Sequence, residues 1–372
     1  MKRYTIAVLT IFTSLCLLVF AGCGGGGGEN ENGNGGEDNS DVPNYLCFTA
    51  NTANCQLSMY VEKNSYPYDE FTPPQLEYST DGKKWKIFIP TETWICLEKS
   101  GDKVYFRGNN TTFSSDDEYY RYVTNGSFMV SGNIMSLLDK SLKLKTIPSD
   151  YCFKMLFDGC DITSAPELPA AILTKYCYFG MFGNCSNLLE APALPALTLA
   201  ESCYSCMFVS CTSLIKAPSL PATVLVDLCY NSMFSRCSSL TEAPELPAET
   251  MIRYCYMSMF SFCTSLTSAP ALPALNLAEG CYLDMFCDCT GLPAAPVLPA
   301  TVLKDECYRS MFFGCSRLRS ITVSFSDWNG ATNSTENWVN GVADSGSFRC
   351  PGGLADEAGV DRIPTGWTKL DL

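Results

Sequence analysis

Fourteen cysteines in two columns are the residues whose type and spacing could do chemistry. The first column is Cys152, Cys177, Cys203, Cys229, Cys255, Cys281 and Cys307; the second is Cys160, Cys185, Cys211, Cys237, Cys263, Cys289 and Cys315. Thiols at this density could form disulfides, hold a metal or attack as thiolates. The spacing disfavours the first two. Residues eight apart on a helix lie about 12 Å apart, and neighbouring helices pack about 8–10 Å apart. A disulfide needs Cα atoms within about 4.4–6.8 Å. Structural zinc wants closely spaced Cys-x₂₋₄-Cys pairs. Buried, unpaired thiols acting as small hydrophobes are therefore expected, although an extracytoplasmic location would favour oxidation.

Three further cysteine features stand apart from the columns. Cys203-Tyr204-Ser205-Cys206 matches Cys-x-x-Cys, a redox spacing. Cys203 is a regular repeat cysteine, however, and Cys206 stands where other units carry Ser232, Ser258 or Ser310. Cys287 is likewise off-pattern. Cys47, Cys55 and Cys96 leave room for one disulfide that the sequence does not assign.

Other chemistry is excluded by composition. The 372 residues include no histidine, which removes Ser-His-Asp and Cys-His catalysis, imidazole metal sites and histidine pH switches. A net charge of −14 argues against a nucleic-acid partner held through phosphates. There is no Gly-x-Ser-x-Gly, P-loop or dinucleotide fingerprint. Asp116-Asp117-Glu118 could contribute to a calcium site, but a solvated loop explains it equally well. A non-enzymatic protein without cofactor is expected.

The elements that position the cysteines come from a repeat. Its clearest form reads Cys-Tyr-x-x-Met-Phe-x-x-Cys-x-x-Leu-x-x-Ala-Pro-x-Leu-Pro-Ala, and after one opening step of 25 residues every interval is 26. A fixed period in this range is the mark of a leucine-rich-repeat-like solenoid. Leu303, Cys307, Met311 and Cys315 stand four apart, with Tyr308 and Phe312 beside them, and this spacing predicts a short helix started near Pro299. Stretches such as Leu240 to Pro247 supply only a short strand or polyproline-like rung, because proline cannot donate to a ladder. Leu318-x-x-Ile321-x-Val323 returns to a more usual strand spacing.

Ahead of the repeat, three stretches carry hairpin signals. Leu76 to Thr80 and Trp85 to Ile89 flank Asp81-Gly82. Trp94 to Glu98 and Val104 to Arg107 flank Ser100-Gly101-Asp102. Tyr119 to Thr124 and Phe128 to Val130 flank Asn125-Gly126. The fold class expected is α+β: a small β-sandwich over residues 43–140, a solenoid of short strands and short helices over 150–324, and a C-terminal cap over 325–372. Tyr45, Tyr78, Trp85, Trp94, Tyr105, Tyr119, Tyr120 and Tyr122 could form an aromatic platform for a glycan, or serve as strand and core residues.

The N-terminus carries an address. Lys2 and Arg3 precede an apolar run from Ile6 to Phe20, a secretory signal over residues 1–22 that is too short to be a confident transmembrane span. Phe20-Ala21-Gly22-Cys23 resembles a bacterial lipobox, with Phe20 where the pattern usually has Leu. This resemblance implies lipid on Cys23; the alternative is ordinary cleavage nearby. Residues 23–42, rich in Gly, Asn and Glu, read as a flexible tether.

The units resemble the 26-residue bacterial surface-protein repeat related to BspA-type leucine-rich repeats. The match runs from Cys152 to about Val323 and is most specific at Met-Phe-x-x-Cys-x-x-Leu; the first unit, Cys152-Phe153-Lys154-Met155-Leu156-Phe157, departs from it as a capping repeat would. The resemblance implies a lipid-anchored outer-membrane or cell-surface protein, with a periplasm-facing orientation left open, and an adhesin-like role. Its partners would be the membrane, through the lipid, and a protein or glycan of a host or neighbouring cell. Positions beside the strand vary while core positions do not. One such column is Glu190, Lys216, Glu242 and Ser268; another is Ala193, Ser219, Glu245 and Ala271. Stacking would align each column into a binding surface. A glycan-binding β region and a passive spacer are the alternatives.

Overall fold

The computed structural model describes residues 42–63 and 72–372. The signal reading over 1–22, the lipidation reading at Cys23 and all but the last residue of the tether read over 23–42 fall outside these residues. Residues 42–372 form one compact unit with a continuous hydrophobic core.

Among the described residues eight strands build the N-terminal part: β1 (Leu46–Ala50), β2 (Cys55–Lys63), β3 (Leu76–Ser79), β4 (Lys86–Phe88), β5 (Ile95–Leu97), β6 (Lys103–Gly108), β7 (Glu118–Asn125) and β8 (Phe128–Ser131). They divide between a sheet ordered β4-β3-β6-β1-β8 and a three-stranded sheet ordered β5-β2-β7. The two meet through aromatic rings: Tyr122 of β7 lies 4.8 Å from Phe48 of β1 and 5.3 Å from Phe106 of β6. Of the three expected hairpins, only β3–β4 is paired, with Leu76 opposite Phe88. The turns at Gly101 (φ +88°) and Gly126 (φ +98°) instead carry the chain from one sheet to the other. Both flanking segments present large apolar side chains, and these are buried from opposite sides of one core.

The repeat contains no helix, so the α+β expectation is overturned. Among the described residues the sole helical element is a four-residue 3₁₀ turn, Ile134–Leu137. Where a helix was expected, the chain forms a coil of overlapping β-turns with two alternating sets of hydrogen bonds. Phe179, Met181 and Gly183 donate their N–H three residues back, to Tyr176, Tyr178 and Gly180. The residues between them donate to the next rung: Tyr178 to Cys203 O (3.1 Å), Gly180 to Ser205 O (2.9 Å) and Phe182 to Met207 O (2.9 Å). An α-helix satisfies its N–H groups internally and cannot make such lateral bonds.

Every fourth residue of the coil is left-handed, as at Ser202, Cys206 and Ser210 (φ +53°, +57° and +60°). The side-chain period is therefore four. A helix of 3.6 residues per turn would swing a residue eight positions on by about 80°. The four-residue coil keeps Cys203, Met207 and Cys211 in one buried line and Tyr204 and Phe208 in another. Stacking then produces two aromatic columns. Tyrosine rings from Tyr178 to Tyr308 follow one another at 5.8–6.0 Å. Phenylalanine rings from Phe157 to Phe312 follow at 5.4–5.8 Å.

Both ends of the array continue into neighbouring structure. At the start, β9 (Ile162–Ser164) pairs in parallel with β8, Tyr122 donates its N–H to Leu156 O, and the Tyr122 ring stacks on Phe157 at 5.6 Å. The sandwich thus supplies the rung that precedes the first repeat. At the far end, the coil recurs over residues 332–340, with Phe312 donating to Trp338 O and Tyr308 to Ser334 O. Strands β10 (Val297–Leu298), β11 (Ser320–Val323), β12 (Ser347–Cys350) and β13 (Thr368–Asp371) form a parallel sheet in that order. The ladder therefore runs through the segment read as a cap, although the sequence period has been lost there.

Candidate functional site

The fourteen repeat thiols are all buried and unbridged. Each second-column cysteine, from Cys185 to Cys315, donates its Sγ–H to the carbonyl of a phenylalanine one rung back. Cys211 reaches Phe182 O at 3.0 Å, Cys237 reaches Phe208 O at 3.1 Å and Cys263 reaches Phe234 O at 3.1 Å. Cys160 makes the same bond to Tyr122 O at 3.1 Å. These carbonyls in the repeat already accept a backbone N–H, so the thiol fills the second lone pair. A small apolar side chain that can still donate suits this position. Burial pushes the Cys177, Cys229 and Cys263 thiols up to about 12 and moves the other repeat thiols the same way. They are held as neutral thiols and lack the thiolate that nucleophilic or metal chemistry needs.

The remaining cysteine readings resolve simply. Cys203 is buried in the core line, whereas Cys206 sits half-buried at a left-handed position with Ser205 Oγ 3.9 Å from its sulfur. No disulfide forms among the described residues, and Cys47 lies on a different sheet from Cys55 and Cys96. The acidic triplet does not assemble a cation site. Buried Glu118 pairs with Lys63 and accepts from Tyr120 OH, while Lys154 Nζ reaches Asp116. Among the described residues no cluster of three or more candidate ligands is present.

The proposed aromatic platform is taken up mostly by the core. Tyr45, Tyr105, Tyr120 and Tyr122 are buried, Tyr78, Trp85 and Tyr119 are half-buried, and Trp94 alone of the eight is exposed. The Arg107 guanidinium lies 3.8 Å over the Trp85 ring.

The variable columns do come together on one face. Glu190 and Lys216 form an isolated parallel bridge, and so do Glu242 and Ser268, which places these side chains in line on successive rungs. All four are exposed, as are Ala193, Ser219, Glu245 and Ala271. Between the first two of these rungs lies a groove of about 460 Å³, walled by Ala191, Leu194 and Pro195 on one side and Pro218 and Pro221 on the other. Glu190, Lys216 and Ser219 supply its polar groups. The walls follow from the Ala-Pro-x-Leu-Pro-Ala segment. Its prolines cannot donate to a ladder, so the segment stays extended, and adjacent rungs leave a cleft where pairing would otherwise close.

The sequence reading missed two neighbouring columns. Leu197 and Leu275 stand directly after Pro-Ala, and Val224 and Val302 stand one residue further on; all four are exposed by 62–73% and border the same face. Their varied identity beside an invariant Pro-Ala was the available signal.

Fold and site together define a class: a β-solenoid with a thiol-bonded core, closed at one end by a β-sandwich and presenting a solvent-facing Ala-Pro wall. No family model, curated protein or solved structure matches the chain. Among the described residues no helix is long and apolar enough to cross a membrane.

Proposed function

We propose that the chain is a non-enzymatic surface lipoprotein of the 26-residue-repeat kind it resembles, binding another macromolecule through the Ala-Pro face. The observation that carries this reading is the coincidence of the variable columns with the groove at Glu190, Lys216 and Ser219. An extended apolar wall with a few placed charges suits a protein partner, where shape and charge select together. The buried aromatic residues of the sandwich leave less for a glycan to stack on.

The test uses the full chain, because sandwich and repeats share one core and neither can be removed without exposing it. Panels of extracellular-matrix proteins and of glycans are probed with the wild type, with Ser219→Trp to fill the groove, and with Trp94→Ala in the sandwich. Protein binding abolished by Ser219→Trp alone is the expected result. Glycan binding abolished by Trp94→Ala alone would transfer the function to the sandwich, and binding by neither would leave a spacer. Anchoring is read separately: Cys23→Ala should move the protein from the membrane fraction to the soluble one, and unchanged retention would refute lipidation.

A further inference from the structure

The outward columns of the Ala-Pro face are self-complementary, and we infer that its occupant is a second copy of this chain, packed face to face and antiparallel. The inference rests on the macromolecule-binding reading and names the partner. A two-fold axis lying in the interface along the rung direction sets each column against itself with rung order reversed. Placed between the rungs of Lys216 and Glu242, the axis sets Lys216 opposite the partner's Glu242, twice by symmetry. In the same register Glu190 meets Ser268, Ser219 meets Glu245 and Thr223 meets Glu249. Leu197 meets Leu275 and Ile172 meets Val302, all of them exposed in one copy. Every acidic side chain thus finds an ammonium, a hydroxyl or an apolar neighbour, and no two like charges face each other.

The register is selective. Moved one rung toward the sandwich, the axis sets Glu167 against Glu245. Moved one rung the other way, it leaves Lys216 against Ala294. Only the central register keeps the ion pairs without a like-charge clash, and it also centres six rungs on the axis. Among the described residues neither Lys216 nor Glu242 is engaged in an ion pair within its own chain, so both charges remain for a partner.

The size is sufficient. From position 189 to 198 each rung is about 28 Å wide at roughly 3.1 Å per extended residue. Six rungs at about 4.8 Å span about 29 Å. The resulting area of about 800 Å² per copy equals one partner's share of a standard-size interface. Antiparallel pairing also puts the two sandwiches at opposite ends, an arrangement that joins two apposed surfaces rather than neighbours on one.

Sedimentation equilibrium of the full chain in a non-ionic detergent, over a wide concentration range, tests the pairing. The wild type should dimerise. Lys216→Glu alone and Glu242→Lys alone should each weaken association by at least about tenfold, since each sets like charges against one another twice. An equimolar mixture of the two variants should recover it, because every facing pair is then opposite in sign, and this recovery also shows that both variants are folded. A monomeric wild type overturns the inference, as does a dimer indifferent to both substitutions. Neither result decides the groove's binding of other proteins, which the Ser219→Trp comparison reads independently.

Discussion

Raising the pH should dismantle this protein over a narrow interval set by its thiols. An ordinary thiol titrates near 9.0, and burial lifts the repeat thiols to about 12 or beyond. A neutral form preferred in the folded state gives stability that is fully present below the unfolded value and is lost as pH rises toward the folded one. At pH 9 each thiol then withdraws about 0.4 kcal/mol, and at pH 10 about 1.4 kcal/mol. Over fourteen thiols the loss is about 6 kcal/mol at pH 9 and about 20 kcal/mol at pH 10. Domains are held by only about 5–15 kcal/mol, so unfolding belongs between these two values. The buried tyrosines Tyr178, Tyr204 and Tyr256 are shifted upward by the same cause and reinforce the collapse at higher pH. Urea titrations followed by near-ultraviolet circular dichroism at pH 7.5, 9 and 10 would show the midpoint falling steeply. Thiolate absorbance should rise in step with unfolding and not before it. A midpoint unchanged to pH 11 would refute the reasoning, since bridged or solvent-exposed cysteines would give no such dependence.

Two substitutions test the coil itself. Cys237→Ala removes the Sγ–H from Phe208 O, which keeps its bond from Cys211 N; the lost hydrogen bond and small cavity should cost about 1–3 kcal/mol in chemical denaturation. Ser258 holds φ at +54°, so Ser258→Val should destabilise by about 1–2 kcal/mol while Ser258→Gly should not destabilise at all.

How far the sequence could be read depended on which physical signal each residue carried. The period, the buried thiols and the exposed columns were legible because stacking forces equivalent positions into line whatever the rung's internal shape. The helix expectation failed at Cys307, Met311 and Cys315, whose spacing of four fits an amphipathic helix over one turn. The discriminating sign was the strictness of the four-residue step through both cysteines, with Ser or Gly recurring at several of the outward fourth positions, such as Gly180, Ser232, Ser258 and Ser310. Tyr122 could not be recognised as a rung residue, because β7 reaches that place from another sheet. Trp338 takes the place of a phenylalanine 26 residues after Phe312, with no Met-Phe or cysteine around it to show the kinship. The turns at Gly101 and Gly126 have hairpin chemistry, and only packing decides that they cross between sheets.

The lateral hydrogen bonds of the coil bear on how such a protein changes length. Each reaches a residue 24 to 26 positions further along, from Phe153 to Cys177, from Tyr178 to Cys203 and from Glu306 to Thr332. Length is therefore quantised. Adding or deleting one whole unit re-forms every bond against an equivalent neighbour, whereas a change of a few residues inside the coil would put cysteines against carbonyls that have no place for them. Recombination between near-identical units makes changes of the first kind and leaves the ends untouched. The same lattice that buries the thiols thus leaves the reach of the molecule free to vary, one rung at a time.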